Sequence, residues 1–274
     1  MSTQFTRTPN LRYTKRKERK TNMHDLLLVL VGIVVGIMNA VAGGGMLIGF
    51  PVLVMLGVPP LVANASSNII TIPGQLTSAY GYRKYLKRAP RRLAYLLIPL
   101  IFGAIIGAWF LRQTTAAHFA QIVPGLVLFG IILFTVQPLI HFHLRQHLHG
   151  RKRWILHLVV MALALIPMGL YAGYFGTGFG FLMLAFLSLT HLPDTHTMNG
   201  LKNIAAACTS FASLLCLANS GLINWRVGLI CSAGCALGGW LGSHYSQKFP
   251  SHWLRGIVVI IGLCAVVYLA LHRY

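Results

Sequence analysis

The chain has 274 residues, 56% hydrophobic and only 9% charged, with 23 Lys or Arg against three Asp or Glu. A water-soluble domain carries about 25% charged residues and 45–50% apolar ones, so most of this surface faces lipid rather than water. Three acids (Glu18, Asp25, Asp194) are too few for carboxylate-held metals, glycosidase pairs or acid relays, and the +20 formal charge lies between long apolar runs, the pattern of membrane topology rather than of nucleic-acid binding.

A bilayer core about 30 Å thick takes about 20 helical residues. In chain order, a basic cytoplasmic tail (1–24) reads as solvated and unstructured up to Asn22, a topology anchor beside anionic head groups. Basic residues before an apolar run that ends in Ala40-Val41-Ala42 resemble a secretory signal, but the run belongs to an internal repeat and is read as a first span. Eight runs of spanning length follow, at 25–42, 61–82, 93–111, 119–140, 154–175, 195–218, 226–245 and 254–272. Two shorter stretches, 46–56 and 181–190, follow the glycine clusters Gly43-Gly44-Gly45 and Gly176-Thr177-Gly178-Phe179-Gly180. The expected fold is an all-α membrane protein: a first transmembrane repeat at 25–140, a His/Arg-rich cytoplasmic loop at 141–153 and a second repeat at 154–274.

Placement of Lys and Arg sets the expected topology. With the two short stretches re-entrant, nineteen basic residues fall inside, including the tail and the loops around 83–92 and 145–153, against three outside (Arg112, Lys248, Arg255). The expectation is therefore eight spans with both termini in the cytoplasm.

A shift of 135 residues superposes the halves without a gap, Gly43 and Gly45 on Gly178 and Gly180, Asn64 and Asn68 on Asn199 and Asn203, Ser78 on Ser213. Seven of the 42 positions between Asn39 and Tyr80 are identical. Duplicated halves with helices interrupted near the midplane are the usual architecture of secondary carriers. Four crossings per half would give both repeats one orientation, about an axis along the membrane normal.

Helical spacing puts Asn64, Ser67 and Asn68 on one face of the second span, and Asn199, Lys202 and Asn203 on one face of its counterpart. An amide or ammonium in hydrocarbon costs several kcal/mol without partners, so these faces should meet inside the protein or line a wet cavity. Plain interhelical bonding, worth about 1 kcal/mol per contact, is the competing role. Glycine breaks at Gly43, Gly44, Gly45, Gly176, Gly178 and Gly180 would free backbone N–H groups and aim the positive ends of the following half-helices at negative charge. Gly103 with Gly107, and Gly238 with Gly242, read as helix-packing sites.

Cys231 and Cys235 share a face but read as packing residues, and His141, His143, His147 and His149 as part of a solvated loop. His157, His191 and His196, in or near the membrane, are candidate proton carriers. No phosphate-binding loop, nucleophile elbow or His-Glu-x-x-His motif is present, and no cofactor is called for.

The glycine-rich first break with Pro51, the stretch Ala63-Asn64-Ala65-Ser66-Ser67-Asn68, the second break from Gly173 to Gly180, Met198-Asn199-Gly200-Leu201-Lys202-Asn203 and Gly221-Leu222-Ile223-Asn224-Trp225 together resemble the TauE/SafE sulfite exporter family of membrane permeases. The likeness covers nearly everything after the tail. It implies transport of small sulfur-containing anions such as sulfite, sulfoacetate and other organosulfonates. Phe179 and Phe181 depart from it, since the family more often has small residues there.

The sequence thus predicts a secondary transporter of the cytoplasmic membrane that exports a small anion by alternating access, with the lipid bilayer as its other partner and homo-oligomerisation left open. A carrier for soft metals and a non-transporting assembly factor are the competing readings.

Overall fold

The computed structural model describes the backbone over residues 11–87, 89–147, 154–188 and 194–245, and side chains over 23–87, 89–90, 93–132, 164–188 and 194–245. The expected eighth run at 254–272, Cys264, His191 and the side chains of the His-rich loop and of His157 lie outside the described residues.

Among the described residues the chain is all-helical: α1 (Leu11–Val41), α2 (Met46–Met55), α3 (Pro60–Gly81), a short α4 (Arg83–Leu86) with a following 3-10 turn, α5 (Leu97–Gln113), α6 (Ala116–His147), α7 (Trp154–Tyr174), α8 (Phe179–Ser188), α9 (Thr195–Leu217) and α10 (Trp225–Tyr245). By length and composition Met23–Val41, Leu93–Gln113 and Thr195–Leu217 can each cross a bilayer. Local chemistry sets the boundaries. Pro60 opens α3 at the position where a missing N–H costs nothing. Asp194 caps α9 by accepting from the Thr197 N–H. Asn224 Oδ1 accepts the Val227 N–H at the head of α10, while its own N–H docks on Ser66 Oγ at 2.9 Å. One expectation fails at the start: α1 begins at Leu11, inside the tail read as unstructured. Lys, Arg and Glu are good helix formers, and a span already nucleated extends backwards through them.

Contacts along the helices fix their directions. Let the ends of the bundle be named for the two ends of α3, Asn64 and Tyr82. α10 runs parallel to α3, because Asn224 meets Ser66, Gly228 meets Ile69, Cys235 meets Gly74 and Thr77 Oγ1 bonds the Ala236 carbonyl. α1 is parallel to α10 as well: Asp25 pairs with Arg226, Gly32 and Gly36 sit against Cys231 and Cys235, and Gly242 against Ile37 and Ala40. The consecutive helices α1 and α3 therefore point the same way.

That relationship overturns the expected re-entrant geometry. Two spans joined by a hairpin that dips in and out of one face would be antiparallel. Here α2 carries the chain back from the Tyr82 end towards the Asn64 end. Its ten residues rise about 15 Å, and the linker to Pro60 completes the return. The second half mirrors this with reversed polarity. α9 is antiparallel to α3, with Gly200 beside Tyr82, Asn203 beside Ser78 and Ser210 beside Thr71. α7 ends where its Tyr174 carbonyl meets Asn64. Both α7 and α9 thus run towards the Asn64 end, and α8 turns back between them. The entry to α1 and the Arg83–Leu86 turn lie at opposite ends, so the basic residues do not gather on one side as expected. Helix packing sets the directions, and a charge count does not register it.

α5 lies parallel to α7 through Gly103 and Gly107 against Gly169 and Gly173, with backbone close enough that an added Cβ would strike a carbonyl. Gly238 makes the same approach to Ile33 of α1. Burial is inside-out for a protein in water. Ile98, Phe102, Trp109, Phe211, Leu229 and Trp240 face outwards while Asn64, Asn68, Gln75, Lys202 and Asn203 are buried, as lipid on the outside requires.

Candidate substrate-binding site

The two glycine breaks meet. Gly43 takes a backbone φ of +93° that L side chains rarely adopt, and a Cβ there would lie 3.0 Å from the Gly180 backbone and 3.1 Å from Lys202 Cδ. The breaks close one wall of a small cavity. α3 contributes Ser67, Asn68, Thr71 and Gln75; α9 contributes Lys202, Asn203, Thr209 and Ser210; α1 contributes Asn39. The N-terminal ends of α2 (Met46) and α8 (Phe179) border it, so two helix dipoles present their positive poles to the space.

Lys202 is 1% exposed, and its Nζ donates to the Asn39 carbonyl at 2.7 Å and to Asn199 Oδ1 at 3.1 Å. Among the described residues no carboxylate partners it. Asp25 is paired with Arg226 at 3.0 Å, and Asp194 is committed to Thr197 through both its oxygens. Asn203 Nδ2 donates to Ser78 Oγ at 2.6 Å and Asn68 Nδ2 to the Ala65 carbonyl at 3.2 Å. The hydroxyls of Ser67, Thr71 and Thr209 rest on carbonyls of their own helices and can rotate towards a ligand. Gln75 Oε1 is buried with no partner.

Of the residues expected at the site, Ser67, Asn68, Lys202, Asn203, Gly43, Gly176, Gly178 and Gly180 line the cavity. Four do not. Asn64 donates to the Tyr174 carbonyl at 2.9 Å, and Asn199 sits behind Lys202 as its acceptor. Gly44 lies under the Phe181 ring and Gly45 against Val35, its N–H taken by Asn39 Oδ1 at 2.8 Å. The breaks also free fewer N–H groups than expected, since those of Gly43, Gly176 and Thr177 reach the carbonyls of Met38, Tyr171 and Phe175. The two phenylalanines separate in role: Phe179 lines the cavity, and Phe181 fills the space that Gly44 leaves.

Asn39, Thr71, Gln75, Thr209 and Ser210 were not among the residues expected at the site. Thr71 and Gln75 continue the Asn64–Asn68 stripe at intervals of three and four, a signal the sequence does carry. Asn39 acts through its backbone carbonyl, for which no side-chain pattern exists. Cys231 and Cys235 are buried where α10 meets α1 and α3.

The chain is similar to known membrane proteins along most of its length. The family model for Sulfite exporter TauE/SafE matches residues 28–269. A "Probable membrane transporter protein" of Haemophilus influenzae is 30% identical over 242 residues, covering 86% of this chain and 91% of the relative. "Probable membrane transporter protein ORF9" of a Sinorhizobium species is 27% identical over 256 residues (88% and 90% covered), and "Probable membrane transporter protein YfcA" of Escherichia coli K12 is 25% identical over 238 (86% and 85%). No solved structure gives a significant match.

Proposed function

The chain belongs to the Sulfite exporter TauE/SafE family, and from that membership we propose that it is a transporter, not an enzyme, moving a small anion such as sulfite or an organosulfonate across the cytoplasmic membrane by alternating access. One observation carries the choice of an anion: a fully buried lysine faces a cavity of neutral polar groups and two helix N-termini, with no carboxylate among the described residues to balance it. A small oxyanion completes that set of charges. Export is the direction we take from the family's description.

The alternating-access part rests on an inverted duplication. Asn39 and Tyr174 are 135 residues apart, the repeat offset, and each lies in the last turn of a long helix before a glycine break. The Tyr174 carbonyl accepts from Asn64, and the Asn39 carbonyl from Lys202, which also holds Asn199, the counterpart of Asn64. Halves of opposite polarity that swap α1 onto α10 and α7 onto α5 can rock about the fixed cavity between them. With seven Lys or Arg ahead of the apolar stretch of α1, we place the Asn64 end in the cytoplasm.

The test is a ligand panel on the purified protein, in which sulfite, sulfate, thiosulfate, taurine, sulfoacetate and simple carboxylates are compared for thermal stabilisation. A ligand at 100 times its Kd stabilises by about 2.7 kcal/mol, enough to read as a rise in Tm. Stabilisation by sulfur oxyanions over carboxylates supports the reading, and no response to any anion refutes it.

A further inference from the structure

Lys202 is buried in the cavity wall with no carboxylate beside it among the described residues. Both acids with described side chains lie away from it, since Asp25 pairs with Arg226 and Asp194 caps α9. A buried ammonium without a counter-charge is among the costliest groups a protein can hold. The bonding at Nζ fits the other protonation state. It has two acceptors, the Asn39 carbonyl and Asn199 Oδ1. An uncharged amine has two N–H groups and an ammonium three, so the protein satisfies the amine and leaves the third N–H of the ammonium to the cavity.

No neighbouring titratable group offers an alternative counter-charge. On the elements packed against α9, Tyr82 just past α3 stacks on His196, and Tyr85 of α4 lies tilted against it, towards the Tyr82 end. Tyr171 of α7 donates to the Thr177 carbonyl at 2.6 Å. Arg226 and Asp25 lie at the Asn64 end. None of these is a carboxylate in the cavity.

We infer that the transported anion and one proton bind and leave together, with Lys202 holding the proton. This rests on the anion site proposed above. Loading is Lys202–NH2 plus H⁺ plus the anion giving Lys202–NH3⁺ paired with the anion, and unloading on the far side reverses it, so one anion and one proton cross per cycle. With a monoanion aboard, both the empty and the loaded carrier then present no net buried charge while they reorient, which removes the main electrostatic cost of the crossing. For a monoanion the cycle is electroneutral. It exports when the cytoplasmic anion excess exceeds the inward proton gradient and imports otherwise.

The experiment measures proton uptake on binding. Purified protein in weak buffer at about pH 9, where an ordinary lysine is already charged, is titrated with methanesulfonate and with sulfite, both fully ionised there. Binding is followed by calorimetry and protons by an indicator dye. The expected result is about one proton taken up per anion bound at about pH 9, falling towards none as the pH is lowered. Binding without proton uptake at that pH overturns the coupling and leaves the anion site standing; no binding of either anion overturns both. Lys202→Arg, whose guanidinium stays charged, should bind without taking up a proton. Uptake by that variant assigns the proton to another group and overturns the role given to Lys202.

Discussion

Lys202 reaches from α9 to the backbone carbonyl of Asn39, 2.7 Å away, at the point where α1 breaks off before Gly43. The contact ties the lysine of the cavity to the hinge between a spanning helix and a half-helix. Any change at Lys202 is felt by the break, and any movement of the break is felt at the charge.

Lys202→Met should therefore abolish anion-dependent stabilisation, a loss of at least tenfold in affinity, or about 1.4 kcal/mol. The Asn39 carbonyl and Asn199 Oδ1 would each lose a donor, so the ligand-free protein should also lose about 1–3 kcal/mol. Thermal unfolding with and without anion separates the two effects.

The meeting of Gly43 with Gly180 predicts different costs for two glycines of similar backbone. Gly43 (φ +93°) has Gly180 and Lys202 within 3.1 Å of a new Cβ, whereas Gly57 (φ +87°) has nothing within 4 Å. Gly57→Ala should cost only the conformational strain, about 1 kcal/mol, with transport retained. Gly43→Ala should cost more and stop transport, since backbone cannot give way as a side chain can. Paired melting and flux measurements check the contrast.

Asn64 and Asn203 should behave differently although the sequence treats them alike. Asn64→Ala removes the bond to the Tyr174 carbonyl and should lower stability by about 1 kcal/mol with anion affinity unchanged. Asn203→Ala removes a cavity amide and its bond to Ser78, so both stability and affinity should fall. Anion titrations of the two variants make the comparison.

At the head of α9, burial of Asp194 on its own would raise its pKa, but the Thr197 N–H and hydroxyl and the nearby His196 outweigh it and hold the carboxyl below its ordinary value. A lowered folded pKa adds stability that is present above the unfolded value near 3.9 and is lost as the pH falls through the lower folded one. Asp194→Ala should cost about 0.5–2 kcal/mol at neutral pH through loss of the cap. The Tm gap between wild type and variant should close below about pH 4.

Much of this fold was legible because the physics is local. Apolar runs of spanning length, glycine clusters with half-helices behind them and polar stripes at helical spacing all follow from short windows, and α2, α3, α5, α7, α9 and α10 start and stop close to those windows. What failed was relational. Ten residues are too short to cross alone, so the re-entrant reading of α2 was reasonable, yet α1 and α3 run parallel because Gly32 and Gly36 bind α1 to α10 and Gly74 binds α3 to the same helix. Those pairings join residues about 160 to 200 positions apart. Asn64 and Asn199 were placed on the right faces but not in the cavity, since residues one turn apart on one stripe can lie on either side of its wall. Asn39 was invisible because its part is played by a carbonyl.

The most direct test is flux of labelled sulfite and methanesulfonate in proteoliposomes, comparing wild type with Lys202→Met and with Asn64→Ala reconstituted at equal levels. Saturable flux in wild type and Asn64→Ala, and none above empty vesicles in Lys202→Met, is the predicted result. Undiminished flux through Lys202→Met would contradict it.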